Sequence, residues 1–504
     1  MKILPVDKIR EADQYTIQNE PISDLNLMER AASQLFIWFV EHIEEDSNIH
    51  IFCGTGNNGG DGLVLSRLLI QKGYIVNTWL VKYSEKLSPS CDANLLRLKN
   101  LPGANVEFLT EESKMPGLHK SDIIVDAIFG SGLSRAVKGF AGSVINHINA
   151  SKAFTVSVDV PSGLFCDHSN LNEDGAVINA AYTLTFQFPK FSFLFAENDK
   201  HLGVWEVLPI GLHPEYIVNV DTDNFFIESE FCRLIMRSRH KYDHKGIFGH
   251  GLLIGGSAGK MGAAVLASRA ALRSGAGLIT AHVPKQCCGV LQTALPEAMC
   301  SLDENNDHFT ALPDISIYNA IAVGPGLGQD KQSANALKLL IQESKNPLIF
   351  DADAINILSE NKTWLSFIPK NSIFTPHPKE FTRLTGHSSN NFERHEKQIE
   401  FSRKYGCYVI LKGAHTSITT PEGKAYFNST GNPGMATGGS GDVLTGILLG
   451  LKARGYSALE TCLIGVYIHG LAGDIAAEDH GKESLIASDI IENLGDAFLM
   501  VKSA

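Results

Sequence analysis

Two short stretches of the chain concentrate glycine beside oxygen-bearing side chains. Residues 54–62 read GTGNNGGDG, and residues 432–442 read NPGMATGGSGD and run on into the apolar stretch VLTGILLGL. Glycine lets a backbone approach a ligand closely and adopt conformations closed to other residues. Where such a loop opens a helix, unpaired N–H groups and the helix dipole favour an anion, typically a phosphate. Asn57, Asn58 and Asp61 add amide and carboxylate groups to the first loop, and Asp442 stands at the mouth of the second. A tight turn accounts for five glycines in nine residues but does not call for two asparagines and an aspartate among them. A flexible loop before a core helix accounts for the second cluster but not for Asp442.

Other oxygen-bearing side chains fall at the ends of β-rich runs: Asp126 in VDAIFGSGLSR, and Asp159 with Ser162 in SVDVPSGL. In parallel α/β sheets ligands gather at the carboxyl ends of strands, which would bring these residues to the first glycine loop. Each aspartate alone reads equally as a cap or turn residue; together they favour a site. Asp351 and Asp353 in FDADA lie at another strand end, where approach to the second site and capping of the next helix are both open. His377, between two prolines in TPHPKEF, is either a histidine fixed in a rigid turn or a ligand contact.

Gly54, Gly56 and Gly59 formally satisfy G-x-G-x-x-G. A dehydrogenase would also place an acidic residue about 20 positions further on to hold the ribose, and Glu85 lies too far along. No G-x-x-x-x-G-K-[ST] occurs, which excludes a P-loop enzyme.

The elements that must position these residues alternate in type. NIHIFCG, YIVNTWLV, NVEFLT, DIIVDAIFG and FTVSVDV read as strands in the first 210 residues, with LVLSRLLIQKG an intervening helix. From His250 a second series follows: GHGLLIGGS, GLITAHVP, AIAVGPGLG, PLIFDADAI, SIFTPHP and YVILKGAHT. Alternation of this kind predicts two α/β domains with mostly parallel sheets. A chain of 504 residues exceeds what one core usually supports. Leu212–Asn224 reads as the linker, dividing residues 1–220 from 221–504, and the two motif sets are not repeats of each other.

Composition narrows the partners. The net charge of −12 is spread along the chain, against a nucleic-acid surface and against attraction to anionic membranes. The polar start MKILPVDKIREADQYT does not resemble a signal peptide, and apolar runs such as Leu35–Val40 are too short to span a bilayer, so the cytoplasm is the simplest address. Nine cysteines without a CxxC pair read as reduced thiols. The nearest approach to a metal motif is His240, His244 and His250 in RHKYDHKGIFGH, where the surrounding glycines disfavour a continuous helix that would align two of them as ligands.

The N-terminal motifs LMERAA, GTGNNGGDG, DAIFGSGL and SVDVPSGL resemble those of the NAD(P)H-hydrate epimerase family. The resemblance implies a Rossmann-like α/β sandwich. It further implies that Asn57, Asn58, Gly59, Gly60, Asp61, the loop Gly130, Ser131, Gly132, Leu133, Ser134, Arg135, Ala136, and Asp159 bind the hydrated cofactor. Asn58, Asp126 and Ser162 would then ligate potassium, a hard cation that prefers oxygen. The family reaction interconverts the R and S forms of a C6 hydroxyl on a carbon that also bears the ring nitrogen. Such a carbinolamine can lose and regain hydroxide, and Asp159 is the candidate carboxylate to move protons, its role as a ligand being the safer of the two.

GGSGD before an apolar helix resembles the ribokinase superfamily, in which the aspartate acts as base on the substrate hydroxyl. More specifically, residues 245–262 (KGIFGHGLLIGGSAGKMG), GPGLG, DADAINIL, TPHPKEF, LKGAHT and GGSGD resemble the ADP-dependent NAD(P)H-hydrate dehydratase family in order and spacing. A ribokinase-like α/β domain follows from this resemblance, with Ala264, Gly326, His377 and Asp442 at the S-hydrate. Lys412, Gly413, Ala414, His415 and Thr416 would surround the adenine nucleotide, together with Asn432, Pro433, Gly434, Met435, Ala436, Thr437, Gly438, Gly439, Ser440 and Gly441. In the reaction implied, phosphorylation makes the C6 hydroxyl a leaving group, the ring nitrogen expels phosphate, ADP becomes AMP, and Mg2+ shields the transferring group. The partners implied are the hydrates of NADH and NADPH (NADHX and NADPHX) and ADP, with neither nucleic acid nor membrane and with homo-oligomerisation left open. The alternative is a ribokinase-type vitamin-precursor kinase fused to a nucleotide-binding regulatory module.

Overall fold

The computed structural model describes residues 1–170 and 174–503. The chain forms two compact units, one made of Lys2–Thr222 with Asn390–Phe392, the other mainly of Asp223–Ser389 and the residues from Glu393 on.

The N-terminal unit is built on a seven-stranded sheet whose order is Asn105–Leu109, Ile75–Val81, Asn48–Cys53, Ile123–Ala127, Phe154–Val158, Tyr182–Phe186 and Val204–Leu208. Every neighbouring pair is parallel. The side-chain period of two sends Ile49, Ile51 and Cys53 into one core and Phe52 into another, so both faces are buried, as helix-covered parallel sheets require. The last two strands were not read from the sequence. Chain order reverses between Asn48–Cys53 and Ile123–Ala127, which makes the crevice at their carboxyl ends the topological switch point where ligands bind in open α/β sheets.

The helix after the first glycine loop runs Asn57–Lys72, so three of the five glycines, Gly59, Gly60 and Gly62, lie inside the helix rather than ahead of it. Two of the five are there for close packing. A Cβ on Gly54 would lie 1.9 Å from the Ile128 carbonyl oxygen, and one on Gly62 would lie 2.7 Å from the Ala127 Cβ.

In the C-terminal unit the strands from Asn224–Ile227 to Met299–Leu302 run in the order Asn224–Ile227, Ala425–Asn428, Ser417–Thr419, Tyr408–Leu411, Ile373–Phe374, Leu348–Phe350, Ala320–Val323, His250–Ile254, Leu278–Val283, Met299–Leu302. The pairings about Ser417–Thr419 are antiparallel and the others parallel. All six strands expected from the sequence are present, and the switch point falls between His250–Ile254 and Ala320–Val323. Helix Ser440–Ala453 begins two residues before Asp442 and packs tightly on helix Met261–Arg273, where a Cβ on Gly446 would meet the Ala267 carbonyl oxygen at 2.1 Å. Helix Ala458–His480 is long and apolar enough to cross a membrane, and 67% of its most apolar window is buried inside the protein. The segment read as a linker, 212–224, is not plain loop: it holds the helix Pro214–Asn219 and ends where the strand Asn224–Ile227 begins.

Candidate active sites

Loops at the carboxyl ends of the N-terminal strands enclose a cavity of about 530 Å³. Asn57, Asn58, Asp61, Gly130, Ser131, Gly132, Leu133, Ser134, Arg135 and Asp159 line it, as do Asp13, Tyr83 and Lys190, which the sequence reading did not single out. Gly59, Gly60 and Ala136 are not in the lining. A Cβ on Gly59 would lie 1.9 Å from the Gly54 carbonyl oxygen and one on Gly60 would strike the Met28 sulfur at 2.7 Å, while Ala136 packs beside Gly175. These three shape the loops rather than touch the cavity.

Asp159 sits just past the strand Phe154–Val158 with φ of +63°, a conformation that turns its carboxylate back over the sheet edge. Lys190 Nζ lies 2.8 Å from its Oδ1 and also donates to Thr185 Oγ1 at 2.7 Å and to the Phe188 carbonyl at 3.2 Å. Ser131 N–H donates to Asp159 Oδ2 at 3.3 Å, which ties the 130–136 loop to the strand end. Burial opposes ionisation of Asp159, but the Lys190 charge and these hydrogen bonds hold its pKa below the usual carboxylate value. A carboxylate held this firmly ionised is a fixed anion and a weak base, which favours the ligand role over the proton-moving one.

Asp126 and Ser162 are not in the lining of this cavity. The fully buried Asp126 carboxylate accepts from Ser162 N–H and Ser157 Oγ at 2.8 Å each, from Ser162 Oγ at 2.5 Å and from Ile128 N–H at 3.3 Å. Burial pushes its pKa up, and the only counterweights are neutral donors. Phe129 N–H donates to Ser162 Oγ at 2.8 Å, and the Asn58 side chain abuts Gly130, with no hydrogen-bond partner for its buried Nδ2 among the described residues.

In the C-terminal unit a cavity of about 750 Å³ lies at the carboxyl ends of Leu348–Phe350, Ile373–Phe374 and Tyr408–Leu411. Lys412, Gly413, Ala414, Thr416, Asn432, Pro433, Met435, Ala436, Thr437, Gly439, Ser440, Gly441, Asp442 and His377 line it. His415, Gly434, Gly438, Ala264 and Gly326 do not. His415 Nδ1 pairs with the Asn428 carbonyl at 3.1 Å, Gly434 packs under Asn432, and Ala264 is fully buried in its helix. The Gly326 carbonyl accepts from Ser257 Oγ at 2.8 Å.

Gly439 caps helix Ser440–Ala453 with φ of +93° and no side-chain hydrogen bond; Ser440 N–H reaches the Thr437 carbonyl at 3.5 Å, which leaves the amides of Gly441 and Asp442 to an outside acceptor. Asp442, in that first turn, is pushed up to about 7 by burial and then by the nearby Asp351, against the pull of Lys412. Asp351 stands at the N-cap position of helix Ala352–Glu360, but its side chain makes no cap hydrogen bond. It accepts instead from Thr375 Oγ1 and Thr445 Oγ1 at 2.7 Å each and from Lys412 Nζ at 3.1 Å, in the cavity wall. Asp353 turns the other way and accepts from Gly328 N–H at 2.8 Å and Gln329 Nε2 at 2.9 Å. His377 is both things the sequence allowed: its Nδ1 accepts from Lys379 N–H at 3.1 Å and Glu380 N–H at 3.4 Å as the cap of Pro378–Thr385, and the ring still lines the cavity. Burial lowers its pKa, which suits a neutral ring.

Residues 251–495 match the NAD(P)H-hydrate dehydratase family, and residues 24–192 match the YjeF-related protein N-terminus. The bifunctional NAD(P)H-hydrate repair enzyme of Moorella thermoacetica is 34% identical over 98% of this chain and 96% of its own. The chain belongs to the bifunctional NAD(P)H-hydrate repair enzymes. The Escherichia coli repair enzyme is 32% identical, over 97% of this chain and 92% of its own. A crystal structure of the Bacillus subtilis ADP/ATP-dependent NAD(P)H-hydrate dehydratase with ATP and Mg2+ is similar to 55% of this chain and 98% of its own, at 29% identity and a TM-score of 0.48. Because one bifunctional repair enzyme matches both halves at once, the kinase fused to a regulatory module is not favoured. The two activities of these repair enzymes are an isomerase and a lyase on the same hydrated nucleotides, in agreement with the two glycine-loop cavities.

Proposed function

We propose that residues 1–220 epimerise the R and S hydrates of NADH and NADPH, and that residues 221–504 dehydrate the S form with ADP as phosphoryl donor. The observation that carries the second half is Asp442 in the uncapped first turn of helix Ser440–Ala453, beside the Asp351–Lys412 pair and facing the cavity. Asp442 accepts the proton of the C6 hydroxyl as that oxygen attacks the terminal phosphoryl group. The amides of the first helix turn receive the developing negative charge, and Lys412 adds a cation at the same wall. Asp351, in the cavity wall, would offer the hard oxygen donors that Mg2+ takes, and the ion would supply positive charge at the transferring group. With the C6 oxygen phosphorylated, the ring nitrogen lone pair expels phosphate, and loss of a C5 proton restores the dihydronicotinamide.

In the N-terminal half the buried Asp126 carboxyl, whose ionisation a cation or hydrogen-bond donors favour, fits a potassium site with Ser162 and the side-chain oxygen of Asn58. Asp126→Ala is expected to raise the potassium concentration for half-maximal epimerisation by roughly ten- to a hundredfold, the loss of about 1–3 kcal/mol for a charged acceptor. Dehydration of S-hydrate should be unaffected, and unchanged epimerisation at limiting potassium counts against the assignment.

The whole reading is tested by giving the full-length protein a mixture of R- and S-hydrates with ADP and following the return of dihydronicotinamide absorbance. Complete recovery is expected. Recovery that stops at the S fraction removes the epimerase, and no recovery with ADP removes the dehydratase.

A further inference from the structure

Three carboxyl groups face the N-terminal cavity: Asp13 from helix Val6–Asn19, Asp61 from helix Asn57–Lys72, and Asp159 from the strand end. Their surroundings differ. Asp159 is paired with Lys190 at 2.8 Å. Among the described residues, the carboxyls of Asp13 and Asp61 have neither a hydrogen bond nor an ion pair. A half-buried carboxyl without a partner, aimed at the cavity of an enzyme that must move a proton, has no structural work to do at that place.

We propose that Asp13 is the catalytic residue that carries the proton during epimerisation, while the Lys190-paired Asp159 remains a fixed anion. This deepens, and rests on, the epimerase reading of the N-terminal unit. The step balances without any other reagent. Asp13 in its acid form protonates the C6 hydroxyl, the C6–O bond breaks with its electron pair leaving on water, and the ring nitrogen lone pair forms a C6=N double bond. The resulting cation lies in the field of the Asp159 carboxylate. Water then adds to the other face of C6 and gives its spare proton to the Asp13 carboxylate, which restores the acid. No electron is gained or lost.

Electrostatics sort the three groups into roles, as pairs of acids in active sites commonly are. Asp13 is pushed up to about 7 by burial and by Asp159, against Lys190, with Asp24 adding to the rise. Asp61 is raised well above the usual range by burial and then by Asp159, Asp13 and Asp24, which favours its acid form. The other charged and titratable groups of the cavity wall are Arg10, one turn before Asp13 on the same helix, Arg135 and Tyr83. Asp13, raised to about 7 and open to the cavity, can both give and take a proton near neutrality.

The test is Asp13→Asn in the full chain, assayed with R-hydrate alone and S-hydrate alone. The expected result is a fall in epimerisation kcat of roughly 100- to 10,000-fold with KM within a few-fold, since general acid–base help is of that size. In the unaltered protein kcat/KM should fall as pH rises through about 7, as the acid form of Asp13 is lost; this limb should be missing in the variant. Dehydration of S-hydrate by the same preparation should stand at the unaltered rate. Asp13→Glu, which keeps the carboxyl, should regain part of kcat and the alkaline limb, and it decides the matter if the asparagine variant loses its fold. Epimerisation by Asp13→Asn at the unaltered kcat, or by Asp13→Glu without any alkaline limb, overturns the role of Asp13. Failure of the unaltered protein to epimerise R-hydrate overturns instead the epimerase reading beneath it.

Discussion

Asp442→Asn is expected to lower ADP-dependent dehydration of S-hydrate by roughly 100- to 10,000-fold while leaving epimerisation of R-hydrate intact. The amide is nearly isosteric, so the uncapped turn at Gly439 and the packing of Gly446 on Ala267 keep their shape. What is lost is a group able to take the hydroxyl proton. The pH dependence gives a second reading of the same role. Burial and Asp351 raise Asp442 to about 7, so its base form grows as pH rises through that value. Dehydration should therefore climb with pH across neutrality and the variant should be flat, with rates of both activities measured on one preparation. The sense is opposite to that expected of epimerisation, in which the acid form of Asp13 is the active one. If the asparagine variant dehydrates S-hydrate near the unaltered rate, Asp442 is not the base and a ribokinase-type mechanism is wrong for this half.

Legibility of the fold followed burial only in part, for the largely exposed edge strand Asn105–Leu109 is legible in the sequence while the buried Tyr182–Phe186, Ser417–Thr419 and Ala425–Asn428 are not. NIHIFC and IIVDA are central strands with both faces covered, and continuous apolar runs of this kind are what a buried parallel strand must be. Val204–Leu208 and Met299–Leu302 are edge strands with partly exposed residues throughout, and Asn224–Ile227 is buried only at Ile227, so their patterns are weak and they were passed over. The glycine loops and Asp442 were legible because their chemistry is local: the residues that cooperate are neighbours in sequence. Gly59, Gly60, Gly434 and Gly438 show the limit of that, for a motif marks glycines that pack as readily as glycines that face a ligand.

Asp13 and Lys190 were hidden for different physical reasons. Asp13 stands among Asp7, Lys8, Arg10 and Glu11, where one more charge reads as a solvated helix face. The available signal was that it follows the buried Ile9 by four positions and so shares its side of the helix. Lys190 lies between Pro189 and Phe191 with no acid nearby in sequence, and a lysine is almost never buried without a partner. Its partner is Asp159, which chain folding alone brings to it.

That pair is the basis of the second large effect, expected for Lys190→Met. Lys190 is 1% exposed, and Asp159 is buried with it. Removing one member of a buried ion pair leaves the other charge uncompensated and typically costs about 3–5 kcal/mol, a large share of a domain's stability. Methionine fills the volume of the lysine stem, so lost packing is a small part of the change. The cost should depend on pH in a defined direction. In the unaltered protein Asp159 has a lowered pKa, so its stabilisation is complete above the unfolded value of about 3.9 and disappears only as pH falls through the lower folded value. In the variant the attraction of Lys190 is gone while burial, the largest influence on this group, remains, so the pKa of Asp159 moves above the unfolded value. Protonation then relieves the variant below that raised pKa, and the destabilisation grows as pH rises from about 4 to 7. Urea unfolding can be followed by tryptophan emission, since Trp38, Trp79 and Trp205 all belong to the N-terminal unit. A variant as stable as the unaltered protein at pH 7, or one whose loss of stability is the same at pH 4 and pH 7, would show that Lys190 does not hold Asp159 as an anion, and the assignment of Asp159 as the fixed charge of the epimerase site would fall with it.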